Sequence, residues 1–512
     1  MPLWTAPHIY GLEKTVRNKK LVWNTISAFL YQGTAVICGF ILPRAILNRH
    51  GSDVNGLINS IAQFLQLITF LELGVGAVIQ SALYKPLVQK DSAAISEVLA
   101  SGNSFFRKLA GILVVYVVAL VFLYPVLVDA TYGFAYDATL ILSMSISYFA
   151  QYYFGIVDGL LLKADQKAYI IHAIDTATLI ANTVFCYCLL YWDFSIQAVK
   201  LATSGIFLLR PILVRVYIQR NYTIDRNCKY SKDPVEQKWN GVAQHVAAIV
   251  LDSTDVVVLS VFSTMAAVSV YSVYLLVVSG IKSLFMSCFN SVRSLFGELW
   301  ARQEREELNR YFAATEWLVH AMVVFIWCCT YKLIVPFVLI YTKNMTDANY
   351  DVPVFAALLC IAYGFFCIRI LFHNMILAAG DYKNTQGIYM TGAAINLIFS
   401  VLAVSRWGLV GVTVGTIIAM LYQMLHMGYY VIRHLGIHSF GKTAKQFAVD
   451  AVTILFVLCV TGLIPDAKAT WMGWVFLAAE HAVVIGVCIL IINLVFYKKE
   501  SMQILDKLFR KK

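Results

Sequence analysis

Long apolar segments recur along almost the whole chain and limit its fold more than any other feature. Of the 512 residues, 60% are hydrophobic and only 13% are charged. A soluble core cannot hide that much apolar surface, whereas about 20 apolar residues in a helix cross the hydrocarbon layer of a bilayer. The pattern therefore predicts an all-α integral membrane protein.

About fourteen segments have the length and hydropathy of a membrane-spanning helix. They are 21–43, 57–83, 109–128, 139–162, 169–191, 196–216, 239–261, 265–289, 315–340, 352–378, 385–405, 409–431, 446–464 and 473–496. The connections are short, so no separate soluble domain is expected. The 11 cysteines form neither a CxxC pair nor a Cys/His cluster with metal-ligand spacing, so no metal site is expected either.

Basic residues concentrate in every second connection. With the N-terminus inside, the inner segments hold 30 of the 40 Lys and Arg residues, and the outer loops hold only Arg49, Lys343, Arg406 and Lys468. This asymmetry predicts that both termini are cytoplasmic. The net charge of +11 is spread along one membrane face, which indicates topology and not a nucleic-acid partner.

Two patches of sequence recur at a constant separation of 216 residues. The matched pairs are Trp23-Asn24 with Trp239-Asn240, Asp158 with Asn374, Leu161 with Leu377, Asp165 with Asp381, and Lys167 with Lys383. Six predicted helices separate the copies. Because this number is even, both halves cross the membrane in the same direction, and they should be related by an axis along the membrane normal. The sequence thus predicts an internal duplication.

The duplication predicts four parts of the chain. Residues 1–216 form an N-terminal six-helix bundle, and 217–238 form a polar cytoplasmic linker. Residues 239–445 form a C-terminal six-helix bundle, and 446–512 add two extra transmembrane helices with a basic cytoplasmic tail. Each half also contains a polar elbow between two apolar runs, and the Gly380-Asp381 pair is a turn signal in the second elbow.

Several cations lie inside the apolar segments. A charge at the bilayer centre costs about 2.5–3.5 kcal/mol on insertion scales, so each needs a partner, a watery cavity or a route to the interface. We predict that Arg44, Arg210, Lys282 and Arg369 line a cationic substrate cavity. Interface access competes with this role for Arg44, which lies near the outer end of its helix. Guanidinium groups match phosphate oxygens bidentately, so the cation excess favours an anionic substrate such as a pyrophosphate headgroup.

Two further lysines, Lys200 and Lys332, lie near the outer ends of predicted helices. A long lysine side chain at such a position can bring its ammonium group to the membrane interface. We therefore expect both to reach the interface and leave them out of the predicted cavity.

Three acidic residues in apolar segments are candidates for coupling to an ion, Glu72, Asp252 and Asp255. Asp252 and Asp255 are three residues apart, so they share one helix face. Two close carboxylates in a cavity can share a proton or bind Na⁺. The alternative is a salt bridge to Lys282 or Arg369. No other cofactor is predicted.

Several short motifs occur in one order along the first twelve predicted helices, and their order and spacing are more specific than any one of them. They are Leu42-Pro43-Arg44-Ala45-Ile46-Leu47, Leu71-Glu72-Leu73-Gly74-Val75-Gly76, Ser253-Thr254-Asp255-Val256, Val270-Tyr271-Ser272-Val273-Tyr274, Ala379-Gly380-Asp381-Tyr382-Lys383-Asn384-Thr385-Gln386 and Trp407-Gly408-Leu409-Val410-Gly411. In these motifs the chain resembles the bacterial polysaccharide flippases. These are the Wzx-like lipid-linked oligosaccharide exporters of the multidrug/oligosaccharidyl-lipid/polysaccharide (MOP) superfamily.

The resemblance implies two six-helix bundles in a V shape plus two extra helices. It also implies export of an undecaprenyl-diphosphate-linked oligosaccharide across the bacterial plasma membrane by alternating access, for O-antigen, capsule or exopolysaccharide synthesis. Implied partners are the lipid-linked glycan, membrane lipids and the polysaccharide polymerase or chain-length machinery, with H⁺ or Na⁺ as coupling ion. Arg44 matches the family's arginine at the end of helix 1, a headgroup contact, and Glu72 stands where relatives often carry Asp.

Three other functions compete with this one. A multidrug exporter of the same superfamily typically has twelve helices and favours acidic cavities. A lipid II flippase is expected to carry more arginines in helices 1 and 2, where only Arg44 stands here. A membrane polysaccharide polymerase or ligase would be an enzyme, but the outer loops are short and no nucleophile–base pair is apparent. The chain is therefore not expected to be an enzyme.

Overall fold

The computed structural model describes residues 7–72, 75–128, 132–226, 228, 242–289, 292–464 and 470–497. Nearly all of these residues are helical, and no strand occurs in these ranges, which confirms the predicted all-α membrane class. Eleven of the described helices are long and apolar enough to cross a membrane. The exact count of fourteen stays a prediction.

The helices follow one another closely along the chain. The first half contains α1 (Pro7–Gln66), α2 (Val75–Gln89), α3 (Ser92–Leu127), α4 (Phe134–Ala150), α5 (Ile156–Ala164), α6 (Ala168–Tyr191) and α7 (Ile196–Asn221). The second half contains α8 (Val242–Phe262), α9 (Met265–Phe289), α10 (Val292–Ala301), α11 (Arg305–Tyr341), α12 (Pro353–Ala378), α13 (Tyr382–Arg433), α14 (Phe440–Thr461) and α15 (Trp471–Phe496). A 3₁₀ segment, Leu67–Glu72, follows α1, and a π-helical turn, Gln151–Gly155, joins α4 to α5.

Two helices are far longer than a single membrane crossing, and a glycine breaks each of them. Helix α1 has 60 residues and leaves helical geometry at Gly51, where φ is 81°. Helix α13 has 52 residues and leaves it at Gly408, where φ is 50°. Glycine tolerates positive φ because it has no Cβ. The sequence predicted separate helices on either side of these places, and the structure has two helical segments that meet at each glycine without an intervening loop.

The chain separates into two compact units, Met1–Ile249 and Val250–Lys512. In the first unit α1 packs on α6, α2 packs on α5, and α4 and α6 both pack on α7. In the second unit α12 packs on α13 and on α11. The predicted bundle limits stay a prediction, because most of the linker, including Trp239 and Asn240, lies outside the described residues.

Helices α14 and α15, which correspond to the predicted extra pair, pack on α11 in the second unit. The apolar part of this contact includes Val324, Val457 and Ile485, all of which are buried. A polar contact accompanies it, since the indole nitrogen of Trp317 donates to Asn493 Oδ1 at 2.7 Å. The extra pair is therefore an integral part of this unit.

The start of the predicted linker is held against α5 and the turn that follows it in the first unit. Arg226 Nη2 lies 3.0 Å from Oδ2 of Asp158, whose side chain is buried in α5. Tyr222 donates to Asp165 Oδ2 at 2.5 Å, and Lys167 Nζ lies 2.7 Å from the same oxygen. Burial and the hydrogen bond to Asp165 raise the pKa of Tyr222, so the phenol stays a donor. The linker thus begins with a fixed attachment to α5 and to the turn between α5 and α6, which is the polar elbow of the first half.

Candidate functional site

A cavity of about 660 Å³ lies within the first unit, and every helix from α1 to α7 contributes to its lining. Its lining residues on α7 run from Lys200 to Val214, a distance of about 21 Å at a rise of 1.5 Å per residue. The charged residues in the lining are Glu72, Lys163, Asp175, Lys200 and Arg210. An elongated cavity with charges of both signs thus occupies a unit built from membrane-type helices.

A local break in helical geometry forms one wall of this cavity. The π-helical turn Gln151–Gly155 packs on α7 opposite Pro211. A Cβ added at Gly155 would lie 3.0 Å from the Cβ of Pro211, so a glycine permits the close approach of the two elements. Single π-turns inside α-helices are frequent at functional sites. Pro211 also lacks an N–H group, which leaves a helix carbonyl without its usual donor.

Arg210 is a predicted site residue that the structure places in the cavity. Its Nε donates to Thr178 Oγ1 at 2.8 Å and lies 3.4 Å from Asp175 Oδ1, and its guanidinium carbon lies 4.0 Å from the ring centroid of Phe207. Neither terminal guanidinium nitrogen makes a hydrogen bond to another described residue. Thr178 and Asp175 therefore hold the Nε side of the guanidinium group. The side with the two terminal nitrogens is available for an anion.

Glu72, an ion-coupling candidate, also lies in the cavity wall. The hydroxyl of Tyr152, which belongs to the π-helical turn, donates to Glu72 Oε1 at 2.5 Å. The tyrosine is buried, with 4% of its surface exposed. This contact ties the 3₁₀ segment to the π-turn and holds the carboxylate at the cavity. A role of Glu72 in ion coupling stays a prediction.

Asp255, the other described coupling candidate, sits in a buried polar cluster of the second unit. Tyr271 and Thr416 each donate to its Oδ2 at 2.7 Å, and Asn396 donates to its Oδ1 at 3.4 Å. Its residue exposure is 6%. Helices α8, α9 and α13 thus meet at one carboxylate. The side chain of Asp252 lies outside the described residues, as does its predicted pairing with Asp255.

Lys282 and Arg369 meet at one aromatic ring in the second unit. The Lys282 ammonium lies 4.4 Å and the Arg369 guanidinium carbon 4.7 Å from the ring centroid of Phe366. Arg369 is buried and donates from Nη1 to Gln423 Oε1 at 2.5 Å. Arg44 is half-buried on α1 and is not part of the lining of the first unit's cavity. Substrate binding by these three residues stays a prediction.

Lys200 and Asp175 are not among the predicted site residues, yet both line the cavity. Lys200 was expected to reach the interface because it lies near a helix end. A usable signal was present in α7, whose lining residues Lys200, Thr203, Ser204, Phe207 and Pro211 follow the spacing of a single helix face. Three polar residues at this spacing in an apolar helix, Lys200, Thr203 and Ser204, indicate a face turned toward a cavity.

No family model and no curated protein matches the sequence of the chain. Its fold nevertheless matches solved structures. The lipid II flippase MurJ in its inward closed conformation superimposes with a TM-score of 0.70 at 14% identity, over 93% of this chain and 99% of that chain. An inward-facing MATE family multidrug resistance transporter of the MOP superfamily gives 0.60 at 12% identity, over 78% and 94%.

A eukaryotic MATE transporter gives a TM-score of 0.53 at 11% identity, over 84% of this chain and 98% of that chain. At these identities the likeness establishes the fold and not the cargo. The chain therefore has the fold of MOP-type transporters, which confirms the predicted resemblance at the level of architecture.

Proposed function

We propose that the chain is a flippase that moves an undecaprenyl-diphosphate-linked oligosaccharide from the cytoplasmic to the outer leaflet of the bacterial plasma membrane. It does so by alternating access, in the synthesis of a surface polysaccharide such as O-antigen, capsule or exopolysaccharide. One observation carries the proposal. In a MOP-type fold, the cavity of the first unit contains Arg210, whose two terminal nitrogens make no hydrogen bond to another described residue.

The chemistry of a diphosphate fits this guanidinium. The guanidinium group of Arg210 is held at Nε by Thr178 and Asp175 and packs on the ring of Phe207. Its two terminal nitrogens can therefore donate two parallel hydrogen bonds to phosphate oxygens. A charge-assisted hydrogen bond is worth about 1.5–3 kcal/mol. The partner carboxylate of Asp175 also lowers the penalty of keeping a cation inside the membrane while no cargo is bound.

The proposal includes the topology and partners predicted above. Both termini are cytoplasmic, the cargo enters from the inner leaflet, and polysaccharide polymerase and chain-length proteins receive it on the outer side. H⁺ or Na⁺ drives the cycle, with Glu72 and Asp255 as the described coupling candidates. The three neutral donors around Asp255 join helices α8, α9 and α13, so a change in its charge would alter how these helices are held.

Transport in proteoliposomes tests the proposal. The full-length protein is reconstituted with a fluorescent undecaprenyl-diphosphate oligosaccharide, and exchange between leaflets is followed with a membrane-impermeant quencher. We expect the wild type to move this lipid and Arg210→Glu to slow it at least about tenfold, because the substituted carboxylate repels phosphate. Lys332→Gln, which changes a cation outside the cavity lining, is the matched control. Equal rates for the wild type and Arg210→Glu would overturn the proposal.

Lipid II is a second candidate cargo, because the matched flippase is named for it and superimposes over 93% of this chain. The same proteoliposomes loaded with fluorescent lipid II separate the two cargoes. Faster movement of lipid II than of the oligosaccharide lipid would replace the proposed cargo. Export of a cationic dye, with no movement of either lipid, would indicate a multidrug exporter.

A further inference from the structure

Lys200 lines the cavity of the first unit without a partner among the described residues. It lies on α7, in the turn after the helix begins at Ile196, which the predicted topology assigns to the outer side. Its ammonium group makes no hydrogen bond or ion pair with any residue in the described ranges. Arg210, on the same helix, is held by Asp175 and Thr178. An ammonium without such compensation within a membrane segment points to a functional ligand.

The neighbouring hydroxyl groups of the cavity wall are already used in helix packing. Ser204 donates to the backbone carbonyl of Ser143 at 2.6 Å. Thr203 donates to the carbonyl of Val199 at 3.1 Å, and its hydroxyl lies 3.3 Å from the sulfur of Cys186. The ammonium of Lys200 therefore keeps its donors for a ligand, and its positive charge favours an anionic one.

The spacing along α7 favours separate ligand groups for Lys200 and Arg210. The two residues are ten positions apart, which is about 15 Å along the helix axis. A diphosphate group is far shorter than this separation between the two residues. A second anionic group on the same cargo would have to lie in the glycan, which extends away from the diphosphate.

We infer that Lys200 binds an acidic group on the glycan, either the carboxylate of an acidic sugar or a phosphate ester, while Arg210 binds the carrier diphosphate. This inference rests on the proposed function and adds the class of glycan to it. Lys200 then acts as a specificity residue, because a glycan without a negative charge leaves its ammonium uncompensated.

Binding to the purified full-length protein tests the inference. The probes are undecaprenyl diphosphate, an oligogalacturonate, a hexose phosphate and a neutral maltooligosaccharide. The variants are Lys200→Gln, the charge-conserving Lys200→Arg, and Lys332→Gln as a control lysine that lies outside the cavity lining.

We expect Lys200→Gln to weaken binding of the anionic sugar about tenfold, the usual effect of losing one charge-assisted hydrogen bond. Lys200→Arg and Lys332→Gln should bind it like the wild type, and every variant should keep its affinity for undecaprenyl diphosphate.

The probes distinguish a carboxylate from a phosphate ester. They also distinguish failure of the inference about Lys200 from failure of the proposed function. Loss of oligogalacturonate binding in Lys200→Gln indicates a carboxylate, and loss of hexose phosphate binding indicates a phosphate ester. Unchanged binding of both overturns the inference, as does a loss of undecaprenyl diphosphate binding in Lys200→Gln, which would make Lys200 a second headgroup contact. A wild type that binds undecaprenyl diphosphate but neither anionic sugar defeats the inference alone. A wild type that does not bind undecaprenyl diphosphate defeats the proposed function.

Discussion

The two units both contain charges within membrane-type helices, but they surround them differently. In the first unit the charges of Lys200 and Arg210 face a cavity and keep donors that no other described residue uses. In the second unit Asp255 accepts three hydrogen bonds, and Arg369 is buried against Gln423 and Phe366. A charge enclosed by partners supports the helices that supply them, whereas a charge with unused donors is suited to a ligand.

The largest stability difference is expected between Asp255→Ala and Asp175→Ala. Removing Asp255 leaves the donors of Tyr271, Thr416 and Asn396 buried without their acceptor, which lowers the free energy of unfolding by about 4 kcal/mol. Removing Asp175 costs about 1 kcal/mol or less, since water in the cavity can hydrate Arg210. Thermal unfolding in detergent measures both. Equal losses would remove the distinction between the units.

The contact between Arg226 and Asp158 provides the next test, because here the buried and paired charge lies in the first unit. Arg226→Ala leaves the buried carboxylate of Asp158 without its cation, at about 3 kcal/mol. The duplicated position in the second unit is Asn374, a neutral residue that donates to the carbonyl of Phe289 at 3.2 Å. Asn374→Ala should cost about 1 kcal/mol.

The same unfolding assay measures this pair, and Asp158→Asn is the control. In a background with Asp158→Asn, the loss of Arg226 should have little effect, because no buried carboxylate remains to be paired. An unchanged effect of Arg226→Ala in that background would show that the ion pair is not the source of the stability.

A smaller difference is expected between the two arginines. Arg369→Gln removes a charge-assisted hydrogen bond to the buried amide of Gln423, so it should lower the free energy of unfolding by about 2 kcal/mol. Arg210→Gln should lower it by less than about 1 kcal/mol, because cavity water replaces the lost contacts. Thermal unfolding of both variants checks this, and a larger loss for Arg210→Gln would contradict the account.

The smallest expected effect compares the two elbows. Gly380 has φ of 73° and Gln166 has φ of 55°, so each elbow uses one left-handed residue. A Cβ at position 380 meets nothing within 4 Å, so Gly380→Ala should lose about 1 kcal/mol from backbone strain alone. Gln166→Gly should gain about 0.5 kcal/mol, since relief of strain exceeds the added entropy of the unfolded chain. Melting temperatures that move in the same direction would rule out this explanation.

The sequence predicted the fold class and the general architecture, because hydropathy decides which segments enter a membrane. It did not predict that the helical segments on either side of Gly51 and of Gly408 meet without a loop, since helical periodicity alone does not show where a glycine leaves helical geometry. The elbows also differ in detail. The left-handed residue precedes Asp381 in one elbow and follows Asp165 in the other, although the two aspartates match in sequence.

For the candidate site, the sequence identified Arg210 and Glu72 but not their partners. Thr178 and Asp175 lie on α6, and their contact with Arg210 depends on how α6 and α7 pack. Lys200 was missed because its position near a helix end favoured the interface, and only the packed cavity distinguishes the two environments. Partner choice across helices is a tertiary property that spacing along one helix cannot reveal.

The central claim is that the guanidinium of Arg210 binds the diphosphate of a lipid carrier. The most direct test is the affinity of the purified full-length protein for undecaprenyl diphosphate, measured for the wild type, Arg210→Gln and Lys332→Gln. The account predicts that Arg210→Gln binds at least about tenfold more weakly while Lys332→Gln binds like the wild type. Equal affinities of the wild type and Arg210→Gln would contradict the claim.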